Sequence, residues 1–399
     1  MKRSDFSKDS RGQVIRVAGG YDAFVPNRLP PKLDLTWELV ASLSRADRSL
    51  AKLAGAARTL QSPQLLIAPF IRREAVLSSQ IEGTQASLSD LFLFEAAPSG
   101  TRQPGSEGVS DVHEVANYVR ALHYGLKRLE TLPISLRLIR ELHERLMEGV
   151  RGDLLTPGEF RRSQNWIGRP GCTLENAIFV PPPVEEMTNA LSDLEAFLHS
   201  LSTLPPLVRL AMSHYQFEAI HPFVDGNGRI GRLLISLLLC QEGLLNQPLL
   251  YLSAYFERRR DDYYRLLLDV SQRGSWAAWI EFFLAAVEEQ SRDVVWRTGK
   301  LLELRLQYRS GFETARSSAL LLTLVDDLFE TPVLMIPRVA KRLKITHRAA
   351  MLNVRKLVDA GIVEEVTGRE RNRIFVARRI LRILEQPESP ALEASRPFP

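Results

Sequence analysis

The sequence predicts a mainly α protein with one small β-hairpin and a C-terminal winged helix-turn-helix. Three observations predict it. Apolar residues recur at three- and four-residue spacing over most of residues 34–308. Glycine and proline concentrate in residues 150–183, where Ala177-Ile178-Phe179-Val180 before Pro181-Pro182-Pro183 reads as hairpin strand. From about residue 316 the order is helix, helix, helix, hairpin, which is the order of a winged helix.

Length and composition bound the answer. A chain of 399 residues suggests two or three domains. A hydrophobic share of 45% and a charged share of 25% exclude collagen-like, fully disordered and disulfide-scaffold classes. The net charge of +5 is mild and hints at an anionic partner without establishing one. Cys172 and Cys240 stand far apart in no metal-ligand spacing and read as reduced thiols of a cytoplasmic protein. The start, Met1 to Phe6, has charges but no apolar run behind them, so no signal peptide is expected. The run Leu233–Cys240 is too short to span a bilayer, so no membrane is expected as a partner.

Residues 1–33, with Gly19-Gly20, Pro26 and Pro30-Pro31, read as an irregular N-terminal arm. Residues 34–110 read as N-terminal helices. One carries Leu39, Leu43, Leu50 and Leu53; the next opens at Ser62-Pro63 and stops at Gly83. A loop follows over 98–106. Residues 111–308 read as a helical core interrupted by the hairpin segment. Residues 309–384 read as the winged helix, with Thr346 capping a recognition helix that ends at Gly361. The strands are placed at 362–366 and 373–376, and residues 385–399 as a disordered tail.

The stretch His221-Pro222-Phe223-Val224-Asp225-Gly226-Asn227-Gly228-Arg229-Ile230-Gly231-Arg232 carries the chemistry. Pro222 ends one helix, and Gly226-Asn227-Gly228 permits unusual backbone angles before the next. Amides converging in such a loop make an anion nest, reinforced by the helix N-terminus. Arg229 and Arg232 share a face of the first turn, and two guanidinium forks beside a nest suit a polyphosphate. Asp225 would repel that phosphate unless Mg²⁺ bridged them. His221 at the rim can take a proton from an attacking hydroxyl. The combination reads as a phosphoryl- or nucleotidyl-transfer site and is not a Walker A loop.

This stretch resembles the signature of the Fic family, His-Pro-Phe-x-Asp/Glu-Gly-Asn-Gly-Arg-x-x-Arg, at every fixed position. The resemblance implies a Fic-type helical bundle with a β-hairpin flap. It implies transfer of AMP from ATP to a hydroxyl side chain of a protein, the chain itself included. His221 would then be the general base and Asp225 the Mg²⁺ ligand. Gly226, Asn227, Gly228, Arg229 and Arg232 would bind phosphate, with Phe223 and Val224 alongside and Phe223 as a buried anchor. Ala177, Ile178, Phe179 and Val180 would form the flap that pairs with an extended target segment. Gln216, Arg259 and Tyr263 would lie on the adenine side. The runs Pro157-Gly158-Glu159-Phe160-Arg161 and Ser163–Gly168 resemble the family too.

Upstream, Ser78-Ser79-Gln80-Ile81-Glu82-Gly83 resembles the inhibitory motif of some Fic proteins, with Ser78, Glu82 and Gly83 at its fixed positions. Ser78 and Glu82 share a helix face. Glu82 would pair with Arg232 and take the space of the γ-phosphate. Such a pair at about 4 Å is worth up to roughly 4 kcal/mol at an effective dielectric near 20, before desolvation is subtracted.

Three functions stay open. One is a self-inhibited protein adenylyltransferase. Another is a DNA-binding regulator that uses the Fic domain as a nucleotide sensor. The third is a Fic enzyme using another nucleotide or removing AMP. Residues 332–384 hold thirteen Arg and Lys against four acids, a net +9. Duplex DNA is therefore an expected partner, with His347, Arg348 and Asn353 toward base edges and Arg369 and Arg371 toward phosphates; protein docking is the alternative. A homodimer is compatible with the resemblance, though no interface is legible.

Overall fold

A computed structural model of the chain describes residues 1–59, 64–96, 107–150, 156–169, 171–312, 319–369 and 372–386. The helix start at Ser62-Pro63, the loop over 98–106, Glu370, Arg371 and the tail beyond 386 lie outside the described residues.

The N-terminal arm is not irregular. Strands β1 (Gly12–Arg16) and β2 (Asp22–Pro26) pair antiparallel in register Gly12↔Pro26 to Arg16↔Asp22. Gly19-Gly20 is the turn between two β-prone runs, and Gly20 takes a φ of 83° that other residues resist. Phe24 is buried and stacks on Phe6, which fastens the hairpin to the body.

Two long helices lie side by side as the spine: α1 (Trp37–Thr59) along the 35-residue α11 (Trp276–Ser310). The helix α2 (Gln64–Ile81) crosses beneath and packs against α4 (Glu107–Arg128), with α3 (Leu88–Ala96) between them in sequence. Then come α5 (Leu136–Leu146), α6 (Val184–His199), α7 (Pro206–Ile220) and α8 (Asn227–Gln241). Helix α8 is buried on nearly every face, as its unbroken apolar run requires. Two further helices, α9 (Ser253–Arg258) and α10 (Arg260–Arg273), lead into α11.

The expected hairpin at 177–180 reduces to a single antiparallel bridge, Ile167↔Phe179. Pro181, Pro182 and Pro183 supply no N–H groups, so no ladder extends through them. The outer neighbour of this flap is the N-terminal hairpin. Phe24 N–H donates to the Val180 carbonyl at 2.9 Å, and Ala23, Ala177 and Val180 form a small apolar cluster.

The C-terminal unit is a winged helix. It comprises α12 (Ala319–Glu330), β3 (Val333–Met335), α13 (Ile336–Leu343), α14 (His347–Asp359), β4 (Glu364–Glu365) and β5 (Ile374–Val376). The sheet order is β3-β5-β4, so the central strand pairs with β3 as well as its hairpin partner. Thr346 caps α14 by accepting from Ala349 N–H. Asn353 does not face outward: its amide donates to the Ala349 carbonyl and it packs on the buried face with Ala350, Val354 and Leu357. Helix α15 (Arg378–Glu385) returns to α11 and α2, and one apolar core runs unbroken from α1 to α15. Among the described residues no helix is long and apolar enough to cross a membrane.

Candidate active site

The site forms where α7 stops and α8 starts. His221 is the C-cap of α7 in the left-handed region, φ 49° and ψ 60°, because Pro222 forbids another helical turn. Its Nδ1 lies 3.3 Å from the Glu218 carbonyl. A carbonyl only accepts, so Nδ1 carries the proton and Nε2 keeps its lone pair. Burial pulls the imidazole down to about 4, helped by the Arg161 charge and opposed by the Glu218 carbonyl. The ring is therefore neutral near pH 7.

Asn227 closes the loop. Its Oδ1 accepts from Phe223 N–H at 2.8 Å and its Nδ2 donates to the Phe223 carbonyl at 2.9 Å. Gly226 sits at φ 79°, which starts α8 with its amides turned toward the loop. Phe223 is fully buried, face to face with His143 at 3.8 Å; Val224 is exposed. His143 accepts from Gly158 N–H at Nδ1, so its Nε2 donates to the Asp225 carbonyl at 3.0 Å. The backbone of the loop is thereby fixed from α5.

The two arginines differ. Arg229 is buried and its Nη1 donates to Glu114 at 2.9 Å; Asp225 is 3.5 Å from its other nitrogen. Arg232 reaches across to the end of α2. Its Nε donates to the Ser78 hydroxyl at 2.9 Å, and its Nη2 to the Ser78 carbonyl at 2.8 Å and to Glu82 Oε1 at 2.7 Å. Gly83, at φ 101°, ends α2 and lets Glu82 turn over the loop. Glu82 lies so close above Gly228 that a side chain there would collide with its carboxylate. Burial works to raise the Glu82 carboxyl, and the Arg232 guanidinium outweighs it, holding it below the usual range. Burial likewise works to lower Arg232, and Glu82 is the largest influence holding it above its ordinary value.

Asp225 offers a half-exposed carboxylate at the loop mouth. Among the described residues no group of three or more His, Cys, Asp or Glu gathers to hold a metal unaided. One hard oxygen donor beside an anion nest fits Mg²⁺ whose other ligands are phosphate oxygens and water.

Residues 40–127 match the family model described as Fic/DOC family N-terminal, and residues 133–239 the one described as Fic/DOC family. These two matches show that residues 40–127 and 133–239 resemble the Fic family. Residues 321–375 match the model described as HTH DNA binding domain. The chain is 29% identical over 198 residues to Protein adenylyltransferase Fic of Drosophila erecta, covering 49% of this chain and 36% of that one. For the Drosophila virilis protein of the same name the values are 30%, 49% and 37%. The chain thus spans little more than a third of the length of these curated relatives. A Fic family protein from Desulfovibrio desulfuricans G20 superimposes with a TM-score of 0.54 at 22% identity, over 88% of this chain and 98% of that one. Fic-1 from C. elegans gives 0.50 at 23%, over 66% and 74%. At those identities the likeness concerns the fold alone.

Not every expected site residue gathers at the loop. Tyr263 is buried, its hydroxyl 2.8 Å from His214 Nε2 beneath α8. Gln216 donates to the Asn27 carbonyl, and Arg259 is held by Glu289 and the face of Tyr255. The neighbouring Tyr264 is half-exposed and close enough to feel the charges of Glu82 and Arg232. In the flap only Ile178 is exposed; Ala177, Phe179 and Val180 are buried.

Sequence reasoning assigned no role to the residues that hold the loop from outside: His143, Glu114, Asn165 and Glu218. The usable signals were the run Ser163–Gly168, which contains Asn165, and the helical phase of Glu218, one turn before His221. Burial raises the Glu218 carboxyl to about 8, with Arg232 opposing and Glu82 adding.

Proposed function

We propose that this chain is a self-inhibited protein adenylyltransferase that moves AMP from ATP to a hydroxyl side chain of a protein, itself included. The target hydroxyl oxygen attacks the α-phosphorus and its proton passes to His221 Nε2. The bond from that phosphorus to the bridging oxygen breaks, and pyrophosphate leaves. The observation that carries this reading is His221 itself: a neutral imidazole whose Nδ1 is tied to the Glu218 carbonyl, with Nε2 free beside a nest. A nucleotide sensor has no use for such a base.

The residues divide by role. Gly226, Asn227 and Gly228 present backbone N–H groups to phosphate, and Phe223 anchors the loop that carries them. Arg229 and Arg232 neutralise the β/γ end. Asp225 would hold Mg²⁺, which when bound supplies positive charge to the phosphates. Ile178 and the flap backbone align the target strand. Glu82 blocks by occupying Arg232 over Gly228. Two free cysteines and an ATP donor fit the cytoplasm.

The C-terminal winged helix presents His347, Arg348, Arg355 and Lys356 on the exposed face of α14, a basic surface suited to duplex DNA. The match to an HTH model supports this assignment.

The test is incubation with α-labelled ATP, GTP, UTP and CTP. Three proteins are compared: the natural chain, Glu82→Gly, and Glu82→Gly that also carries His221→Ala. Label from ATP on Glu82→Gly, lost about 10²–10⁴-fold on further replacement of His221, is expected. Label from another nucleotide alone would change the donor. Equal labelling with and without His221 would remove the base from the mechanism.

A further inference from the structure

We propose that Arg161 is a positioning residue: it sets the register between the target-docking flap and the base His221. The inference rests on the adenylyltransferase reading for its consequence and on geometry for its substance. Arg161 is only 1% exposed, among the largest fully buried side chains of the molecule. Among the described residues, its hydrogen bonds all go to backbone carbonyls and none to a carboxylate. Nε donates to His221 O at 3.0 Å, Nη1 to Ser163 O at 3.1 Å and Nη2 to Pro182 O at 2.5 Å. Its own backbone N–H donates to Pro222 O at 2.9 Å.

Those acceptors belong to two separate parts of the site. His221 and Pro222 are the catalytic loop, 60 residues along the chain from Arg161 in the case of His221; Pro182 is the exit of the flap, 21 residues along. Neighbours complete the bracket. Gln164 Nε2 donates to Pro181 O at 2.9 Å, and Asn165 Nδ2 to Phe223 O at 2.8 Å and His221 O at 3.2 Å. The prolines are the reason side chains are needed. Lacking N–H groups, Pro181, Pro182 and Pro222 cannot build a ladder between flap and loop, so buried carbonyls on both sides require donors from elsewhere.

Burying a guanidinium without a carboxylate is costly, and a neutral side chain would fill the space. What a neutral side chain lacks is the rigid five-donor fork that reaches carbonyls of two segments at once. His221 needs such support, because a non-glycine residue in the left-handed region persists only when its surroundings over-determine it. A target hydroxyl aligned by the flap must meet His221 Nε2 within hydrogen-bond reach, and a misplacement near 1 Å costs about 10²-fold in rate. Burial of the cation drives its pKa down to about 10, and its charge adds to the burial that keeps His221 neutral.

The experiment uses the full chain carrying Glu82→Gly, compared with the same chain also carrying Arg161→Lys or Arg161→Gln. Lysine keeps charge and stem but loses the fork. Three quantities are measured: self-modification from labelled ATP, ATP affinity by equilibrium dialysis, and amide exchange of segments 177–183 and 219–226. Both replacements are expected to cut transfer about 10²-fold while ATP affinity stays within about twofold. Exchange is expected to rise in both segments together and not in the helical spine. Transfer at the parent rate with lysine overturns the proposal. So does ATP affinity falling as far as transfer, or unchanged exchange in the two segments. A parent silent with all four nucleotides sinks the adenylyltransferase reading instead, and the exchange data then decide the role of Arg161 alone.

Discussion

Helix α2 carries two buried arginine–carboxylate clusters, one at its end and one in its middle, and they differ in who can reach them. At the end, Arg232 is 1% exposed but its partner Glu82 is 35% exposed, so solvent or a ligand can replace the carboxylate. In the middle, Asp293 of α11 accepts from Arg297 at 2.7 Å and stands 3.6 Å from Arg73 of α2; Asp293 is 2% exposed and Arg297 not at all. Arg297 also donates to the carbonyls of Ile383 and Gln386 at the end of α15, which seats the winged helix against the spine. In the proposed function the first cluster acts as a latch, because an incoming anion can take over the guanidinium. The other is an anchor, because no exchange partner can enter. The difference follows from position: Gly83 frees the chain after α2, whereas mid-helix Arg73 is itself buried and meets the buried Asp293.

The largest expected effect tests the anchor. Asp293→Asn leaves two buried guanidinium groups without their shared charge partner, which typically costs about 3–5 kcal/mol. Urea unfolding is expected to show that loss, and self-modification per folded molecule should stay low because Glu82 still holds Arg232. Unchanged stability would make the anchor as dispensable as a surface pair.

Glu82→Gly is the counterpart. It is expected to raise self-modification by at least about tenfold, an effect worth about 1.4 kcal/mol. Equal or lower labelling of a folded variant removes the latch. The latch should also be insensitive to pH near neutrality. The folded Glu82 carboxyl lies below its ordinary value, so its stabilisation is present above the unfolded pKa and lost only as pH falls through the folded one. Labelling of the natural chain, corrected with Glu82→Gly at each pH, is expected to stay equally suppressed from pH 6 to pH 8; release within that range would contradict a charge latch held by Arg232.

How much of this was legible in the sequence follows the same division between local and distant partners. The loop from His221 to Arg232 and the pair Ser78/Glu82 were readable because the chemistry lies in contiguous residues with fixed spacing. Glu114, His143, Arg161 and Asn165 were not assigned roles, because they reach the loop from 56 to 115 residues away and are ordinary residues locally. The β1–β2 hairpin was missed although its Gly-Gly turn was in plain view, since five-residue strands with half-buried faces alternate weakly. Strand β3 is three buried residues after Pro332 and carries no periodicity at all. Asn353 was misplaced for a recoverable reason: it follows Ala350 by three and precedes Leu357 by four, which is the buried stripe of α14.

The smallest effect is expected between the two clusters, at Glu74. This residue neighbours Arg73 of the anchor and lies one turn before Ser78 of the latch, yet it pairs with neither cluster's arginine by a direct bridge. Its carboxylate accepts from the Ser253 hydroxyl at 2.5 Å and from Tyr118 at 3.2 Å. Burial raises it to about 7, with Ser253, Arg232 and Tyr118 opposing. The folded state therefore holds a proton that the unfolded chain releases near the ordinary carboxyl value of 4.5. Stability from this group is fully present below that value and is lost as pH rises through about 7. Glu74→Gln keeps the acceptor oxygen and removes the titration. Thermal unfolding at pH 5, 6, 7 and 8 is expected to show a steeper fall in the natural chain than in the variant, by on the order of 1 kcal/mol. Glu218, raised to about 8, contributes a fall of the same sign in both proteins and so cancels from the difference. Parallel curves would mean that Glu74 is ionised in the fold, drawn to Arg232 as a further member of the latch.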